Sequence, residues 1–204
     1  MATPRMRPLP AIGADMFYFA LLETDDPESP DGPTYGTPER LPGLVSVAFN
    51  PNPQTGTFYA DNGAYVVAAQ LGDLALTVGA ADVPPDIRNI WFGQPYENGV
   101  LRGTQINPPD MAVGYRVKSP GDSYRYFWFL KCKAAPPSET VNTQGNSIAF
   151  QSGTITINCA FPVSYDAAWR VLDDRDENIP EGVTPAMIEA NWFTDPMWTP
   201  EVGG

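Results

Sequence analysis

The sequence predicts a mainly β protein, a sandwich or barrel with one or two short α-helices lying against it. Three observations carry this expectation. Glycine and proline are abundant, 18 and 23 of 204 residues, and they cut the chain into short pieces. The pieces between them are rich in aromatic and β-branched residues, which suit a pleated surface. Several pieces alternate apolar and polar side chains with the period of two that a strand imposes.

Residues 1–14 form an N-terminal arm whose first ten positions hold Pro4, Pro8 and Pro10. Met16 to Leu22 is apolar on both faces and reads as a strand covered on both sides. Asp25 to Pro33 has no large apolar side chain and reads as a loop. In Leu44–Phe49 the residues Val45, Val47 and Phe49 share one face. Asn50-Pro51-Asn52-Pro53 then breaks the chain. Asp61-Asn62-Gly63 lies between Thr57–Ala60 and Ala64–Val67, and Asn-Gly is a strong hairpin signal. The hairpin spans about 54–70, within a segment 50–72 bounded by turns. It carries Phe58, Tyr59, Tyr65 and Val66 but few charges. A ribbon this apolar is either packed on its own domain or offered to a neighbour.

Leu74, Leu76 and Val78 share a face of the next strand. Asp82 is a cap candidate before Pro84-Pro85. Ile87, Ile90 and Trp91 follow at helical spacing and Gly93 stops the helix, which runs about 84–93. Met111, Val113, Tyr115 and Val117 alternate with Ala112, Gly114, Arg116 and Lys118. Tyr124 to Ala134 is the clearest strand. One face offers Tyr124, Tyr126, Trp128, Leu130, Cys132 and Ala134; the other offers Arg125, Phe127, Phe129, Lys131 and Lys133. Ala135-Pro136-Pro137-Ser138 ends it. Ile148 and Phe150 lie on even numbers, whereas Ile155, Ile157, Cys159 and Phe161 lie on odd ones, so a bulge or bend is expected at Gly153. Residues 15–161 make the β domain and 162–204 a C-terminal extension. Thr184-Pro185 opens a second short helix, about 185–193, with Ile188 and Trp192 on one face. From Pro196 onward the chain reads as a tail.

Composition excludes several chemistries. There is no histidine, so no Ser-His-Asp triad, Cys-His dyad or His-bearing zinc site can form. Two cysteines cannot make an all-cysteine zinc site. Cys132 and Cys159 both fall on apolar faces and read as buried small hydrophobes. A cytoplasmic setting is expected, with no signal peptide, no membrane span and no disulfide. The chain carries 24 Asp+Glu against 12 Lys+Arg, a formal net charge of −12. That balance argues against ordinary nucleic-acid binding, which rests on cations neutralising phosphates. Charge is also uneven: residues 11–100 hold 12 acids and 2 bases, residues 101–160 hold 3 and 6, and residues 161–204 hold 9 and 2. Such blocks are either solvated faces or complementary surfaces for self-association.

Paired acids are the only catalytic material in quantity. Asp25/Asp26 and Asp173/Asp174 sit among charges and breakers, with little apolar surrounding to raise a pKa. Asp173-Asp174-Arg175-Asp176-Glu177-Asn178 lacks the spacing of a calcium loop. No enzyme activity, cofactor or metal is expected.

The ordered segments resemble the major tail protein, or tail-tube, family of long-tailed phages (siphophages). The resemblance runs from about Asp15 to Thr194 and rests on short phrases in sequence. They are Met16-Phe17-Tyr18-Phe19-Ala20, Tyr35 to Gly43, Phe58-Tyr59-Ala60-Asp61-Asn62-Gly63 and Tyr96 to Leu101. Then come Tyr124-Arg125-Tyr126-Phe127-Trp128, Asn142 to Ile148 and Ala190-Asn191-Trp192-Phe193. The resemblance implies a non-catalytic subunit of the virion tail, assembled in the host cytoplasm. Its hexameric rings stack into a tube that carries viral DNA to the host. It implies contacts with itself and with tape-measure, terminator and distal tail proteins. Double-stranded DNA would pass through the lumen without specific binding, and no membrane is involved. It also assigns inter-ring contact to residues 50–72, with Phe58, Tyr59, Asp61 and Tyr65 as candidates. The Pro-rich arm and the acidic 173–181 stretch have no place in that pattern. The alternative expectation is a carbohydrate-binding β-sandwich module that stacks sugars on Tyr124, Tyr126 and Trp128.

Overall fold

A computed structural model describes residues 7–137, 143 and 152–201. The strands are β1 (Gly13–Thr24), β2 (Thr34–Tyr35), β3 (Glu39–Leu41), β4 (Leu44–Asn50), β5 (Gln54–Ala60), β6 (Gly63–Gln70) and β7 (Leu74–Ala80). After helix α1 (Pro85–Phe92) come β8 (Tyr96–Glu97), β9 (Val100–Leu101), β10 (Met111–Ser119), β11 (Ser123–Ala134), β12 (Gly153–Ala160) and β13 (Trp169–Asp173), then helix α2 (Pro185–Asn191). The protein is mainly β, as expected. Ile148 and Phe150, half of the expected phase change, lie outside the described residues; Gly153 opens β12.

The main sheet is antiparallel throughout, ordered β2-β1-β10-β11-β12-β7-β4, with β13 paired to β11 and β3 to β1. Only Pro42-Gly43 separates β3 from β4, yet β3 pairs with β1 while β4 pairs with β7. The sheet therefore closes on itself as a barrel, and this bend is the joint. Gly43 sits there at φ +88 and its carbonyl accepts from the Ala81 amide at 2.8 Å. That left-handed backbone is open to glycine at little cost.

The barrel interior is apolar. Phe17 and Phe19 of β1, Leu76 and Val78 of β7, Met111 and Val113 of β10, Phe129 of β11, and Ile155 and Ile157 of β12 are all buried. Helix α1 lays Ile87 and Trp91 onto this core, Trp91 meeting the Phe19 ring edge-on at 5.3 Å. The helix lies where its spacing placed it and ends at Gly93, left-handed at φ 63. Its start differs from expectation: Pro84 occupies the cap position, and the Asp82 carboxylate instead accepts from its neighbour, the Val83 amide.

A second apolar cluster forms on the outside of β10 and β11. Ala112, Tyr126, Trp128 and Leu130 are buried there under Ile188, Trp192 and Phe193 from the C-terminal segment. This is why β1 and β11 are apolar on both faces: each is covered twice. The cover is fastened by polar contacts. The Trp128 indole donates to the Trp192 carbonyl at 2.9 Å. The Arg170 guanidinium donates to the Pro196 and Trp198 carbonyls at 2.6 and 3.0 Å. The Arg116 guanidinium bridges Asp15 on β1 and Glu189 on α2 at 2.7 and 2.6 Å. Helix α2 is capped by the Thr184 hydroxyl, which accepts from the Met187 amide. The stretch from Pro196 is thus docked through Trp198, and 162–201 is woven into the barrel by β13.

Three expectations about side-chain placement are corrected. β11 does not alternate without interruption: Val113 pairs with Phe129 but Met111 pairs with Cys132, so β11 carries one extra residue between them. That bulge keeps Trp128 and Leu130 on the outer face while turning Cys132 and Ala134 into the barrel core. It also falls where β11 changes partner, from β13 (Arg125–Phe129) to β12 (Lys131–Ala134). A similar irregularity between Leu44 and Ser46 leaves Val45 61% exposed, so Leu44, Val47 and Phe49 form the inward set of β4. Finally, Cys132 and Cys159 are buried but not separate. They stand directly opposite each other in the β11–β12 register and form a disulfide. Only the strand pairing brings them together, which is why their spacing in sequence gave no sign of it.

Candidate assembly interface

The hairpin expected at 54–70 is present and stands off the barrel. β5 and β6 pair only with each other, from Gln54↔Gln70 to Ala60↔Gly63. Two residues connect them, Asp61 and Asn62, with φ +49 and +64. Both are left-handed, the geometry of a tight turn whose twist matches the strands, and Asp and Asn tolerate it better than most residues. The turn therefore lies one residue earlier than the Asn-Gly signal implied. Between the pairs Phe58↔Val66 and Tyr59↔Ala64 the register shifts, leaving Tyr65 as an extra residue.

Nothing in the described chain covers this ribbon. Phe58 is 65% exposed, Tyr59 69%, Tyr65 72% and Val67 65%. Phe58, Tyr59 and Tyr65 are the most exposed aromatic side chains among the described residues. Asp61 is the only charged residue between 54 and 70 and sits at the tip. The root is held firmly. The Asn50 side chain accepts from the Asn52 amide at 3.0 Å, and Asn52 itself turns left-handed at φ +39. Gly72, on the other leg, passes so close to Asn52 that a Cβ there would lie 2.1 Å from the Asn52 carbonyl oxygen. The two legs cross in backbone contact, and only glycine permits it. Beside this crossing, Gln54, Gln70, Leu71, Asp73 and Phe161 border a cleft of about 460 Å³.

The acidic pairs are committed to structure. Asp25 accepts from the Lys131 ammonium at 2.6 Å, from the Val163 and Ser164 amides at 2.8 and 2.9 Å, and from the Ser164 hydroxyl at 2.7 Å. Burial alone would raise its pKa, but these donors together hold it well below the usual carboxylate range. Asp26 accepts from the Glu28 amide. Asp173 pairs with Arg175 at 2.7 Å and with Arg125 at 3.5 Å. Asp174 accepts from the Tyr124 amide at 2.8 Å; burial pushes its pKa up and that hydrogen bond pulls against it. Asp176 closes a turn by accepting from the Asn178 amide. The 173–178 stretch is thus built of turns tied to β11 through Arg125 and Tyr124, with the second Asp174 oxygen buried without a hydrogen-bond partner. Among the described residues no group of three or more cysteines and carboxylates is placed to hold a metal.

Tyr124, Tyr126 and Trp128 share a face as expected, but Tyr126 and Trp128 are almost fully buried beneath Trp192 and Phe193. The Arg116 guanidinium sits 4.3 Å over the Tyr124 ring. Those three aromatics therefore form no open platform for a sugar. Among the described residues no helix is long and apolar enough to cross a membrane. The chain matches no protein-family model and no curated protein.

Proposed function

We propose that this chain is a structural subunit of a long-tailed phage tail tube. Copies close into hexameric rings, and the rings stack into a conduit for viral DNA. The observation that carries the reading is the β5–β6 hairpin, an aromatic, nearly uncharged ribbon fixed at its root and left bare. A monomer gains nothing from such a ribbon, and exposed apolar patches of this kind mark contact surfaces. Head-to-tail contacts of this sort propagate when they do not close, which is what stacking requires. The net charge of −12 suits a wall that DNA must slide past, since a cationic lining would hold phosphate. Tape-measure, terminator and distal tail proteins complete the set of partners, and the assembled location is the virion.

The test is electron microscopy of the purified chain across a concentration series, with and without the other tail proteins. Rings or tubes are expected. A chain that stays monomeric in every condition refutes the proposal.

A further inference from the structure

We infer that Cys159 is a thiol-exchange site. A small uncharged or cationic thiol enters the cleft at the hairpin root and attacks the Cys159 sulfur of the Cys132–Cys159 bond, with Cys132 as the buried leaving partner. The inference stands apart from the tube reading. It rests on where each half of the bond lies. Cys132 is 1% exposed on β11, held between Met111 of β10 and Cys159 of β12. Cys159 is 8% exposed and pairs with Leu74 on the last rung between β12 and β7. Just there β12 ends, at Ala160, and β7 begins, at Leu74. The cleft of about 460 Å³ is bordered by Cys159 together with Gln54, Gly72 and Phe161, whereas Cys132 is not among the described residues that border it. The bond therefore has one reachable sulfur and one closed off.

Exchange runs through a thiolate, and its rate depends on which sulfur the thiolate can reach. The entering thiolate bonds to the Cys159 sulfur and the S–S bond breaks. Its electron pair leaves on the Cys132 sulfur, which takes a proton. The product is a mixed disulfide at Cys159. Cys132 can attack Cys159 again, expelling the small thiolate and remaking the bond. Otherwise a second small thiolate attacks the outer sulfur, a small disulfide departs, and both cysteines are left as thiols. That second route oxidises two small thiols and reduces one protein disulfide. The cleft has room, since a thiol of four heavy atoms takes roughly 120 Å³ at about 30 Å³ each. Its border also selects by charge. Asp73 is the one charged residue among those bordering the cleft, in a chain of net charge −12, so an anionic thiol approaches against the field. A bond with one reachable sulfur follows the surrounding thiols, opening in a reducing compartment and closing outside it.

Single variants separate the two sulfurs. Cys132→Ser and Cys159→Ser are incubated with hydroxyethyl disulfide, and intact mass follows the mixed disulfide, with circular dichroism as the check on the barrel. Cys132→Ser is expected to label at least about tenfold faster than Cys159→Ser, and denaturant should abolish the difference. Equal native rates would mean that exchange waits for the barrel to open, which overturns the inference. The original chain supplies a second measurement that needs no variant to fold. It is treated briefly with 2-mercaptoethanol, quenched in acid and peptide-mapped. The adduct is expected on Cys159. An adduct on Cys132, an even split, or a bond untouched until the chain unfolds refutes the site. At matched thiolate concentration, cysteamine should outpace mercaptoethanesulfonate severalfold, and Asp73→Asn should narrow that ratio; an unchanged ratio removes Asp73 from the site.

Discussion

Replacing Trp192 by alanine probes the outer apolar layer. Trp192 is 2% exposed and packs on Tyr126 and Trp198, with ring centroids 6.1 and 6.4 Å away. A buried indole removes about 200 Å² from water, which at ~25 cal/mol/Å² is about 5 kcal/mol. Three adjustments apply. The layer is a single segment that can settle inward, which lowers the cost of the cavity. The Trp192 indole N–H has no hydrogen-bond partner among the described residues, so its removal breaks no bond there. The Arg170 guanidinium, 5.5 Å from the ring, loses a contact that contributes about 0.5–1 kcal/mol. The net expectation is a loss of about 3–4 kcal/mol, which in a domain of this size lowers Tm by roughly 10 °C. Calorimetry on the unassembled chain measures it. A Tm within about 2 °C of the original means that the C-terminal segment does not seal β10 and β11, and the two-layer core is wrong.

Three further outcomes follow from other contacts. Asp25→Asn strands the Lys131 ammonium and is expected to cost about 2 kcal/mol at neutral pH in denaturant unfolding. Because the folded pKa of Asp25 lies below its ordinary value of 3.8, its contribution is complete above that value and fades as pH falls through the folded pKa. The gap between the two proteins must therefore close in strong acid; a gap that widens there contradicts the assignment. Opening the Cys132–Cys159 bond frees a 27-residue separation, about 3.5 kcal/mol by chain entropy, so a thiol reductant should lower Tm in the original chain but not in the Cys132→Ser, Cys159→Ser variant. Gly72→Ala should leave the barrel's circular dichroism intact while misdirecting the hairpin, seen as a tube-assembly defect in microscopy; normal tubes would show that the Asn52 crossing does not aim it.

Much of the barrel was legible because short-range pattern reflects which face is buried. Leu74, Leu76 and Val78 alternate and all point inward. Ile87 and Trp91 lie one helical turn apart and both reach the core. Ile188 in α2 and Trp192 at its C-terminal cap have the same spacing, and both are buried in the outer cluster. What was not legible depends on partners distant in sequence. The bulge in β11 exists because the strand must serve β13 and then β12, and no local residue announces that change. The disulfide depends on the same pairing. The outer apolar face of β11 was visible, but an open sugar platform and a sealed layer leave the same trace in sequence. Only the fold of 162–201 distinguishes them. The hairpin was legible through its turn and its aromatics, whereas its bareness is a property of the whole molecule.

The most direct test compares the unaltered chain with Phe58→Asp, Tyr59→Asp by electron microscopy at matched concentration. The unaltered chain should build tubes, while the variant should melt at a similar temperature and build none, because two carboxylates would be buried unpaired where copies meet. Tubes of normal yield from the variant would contradict assembly through this hairpin.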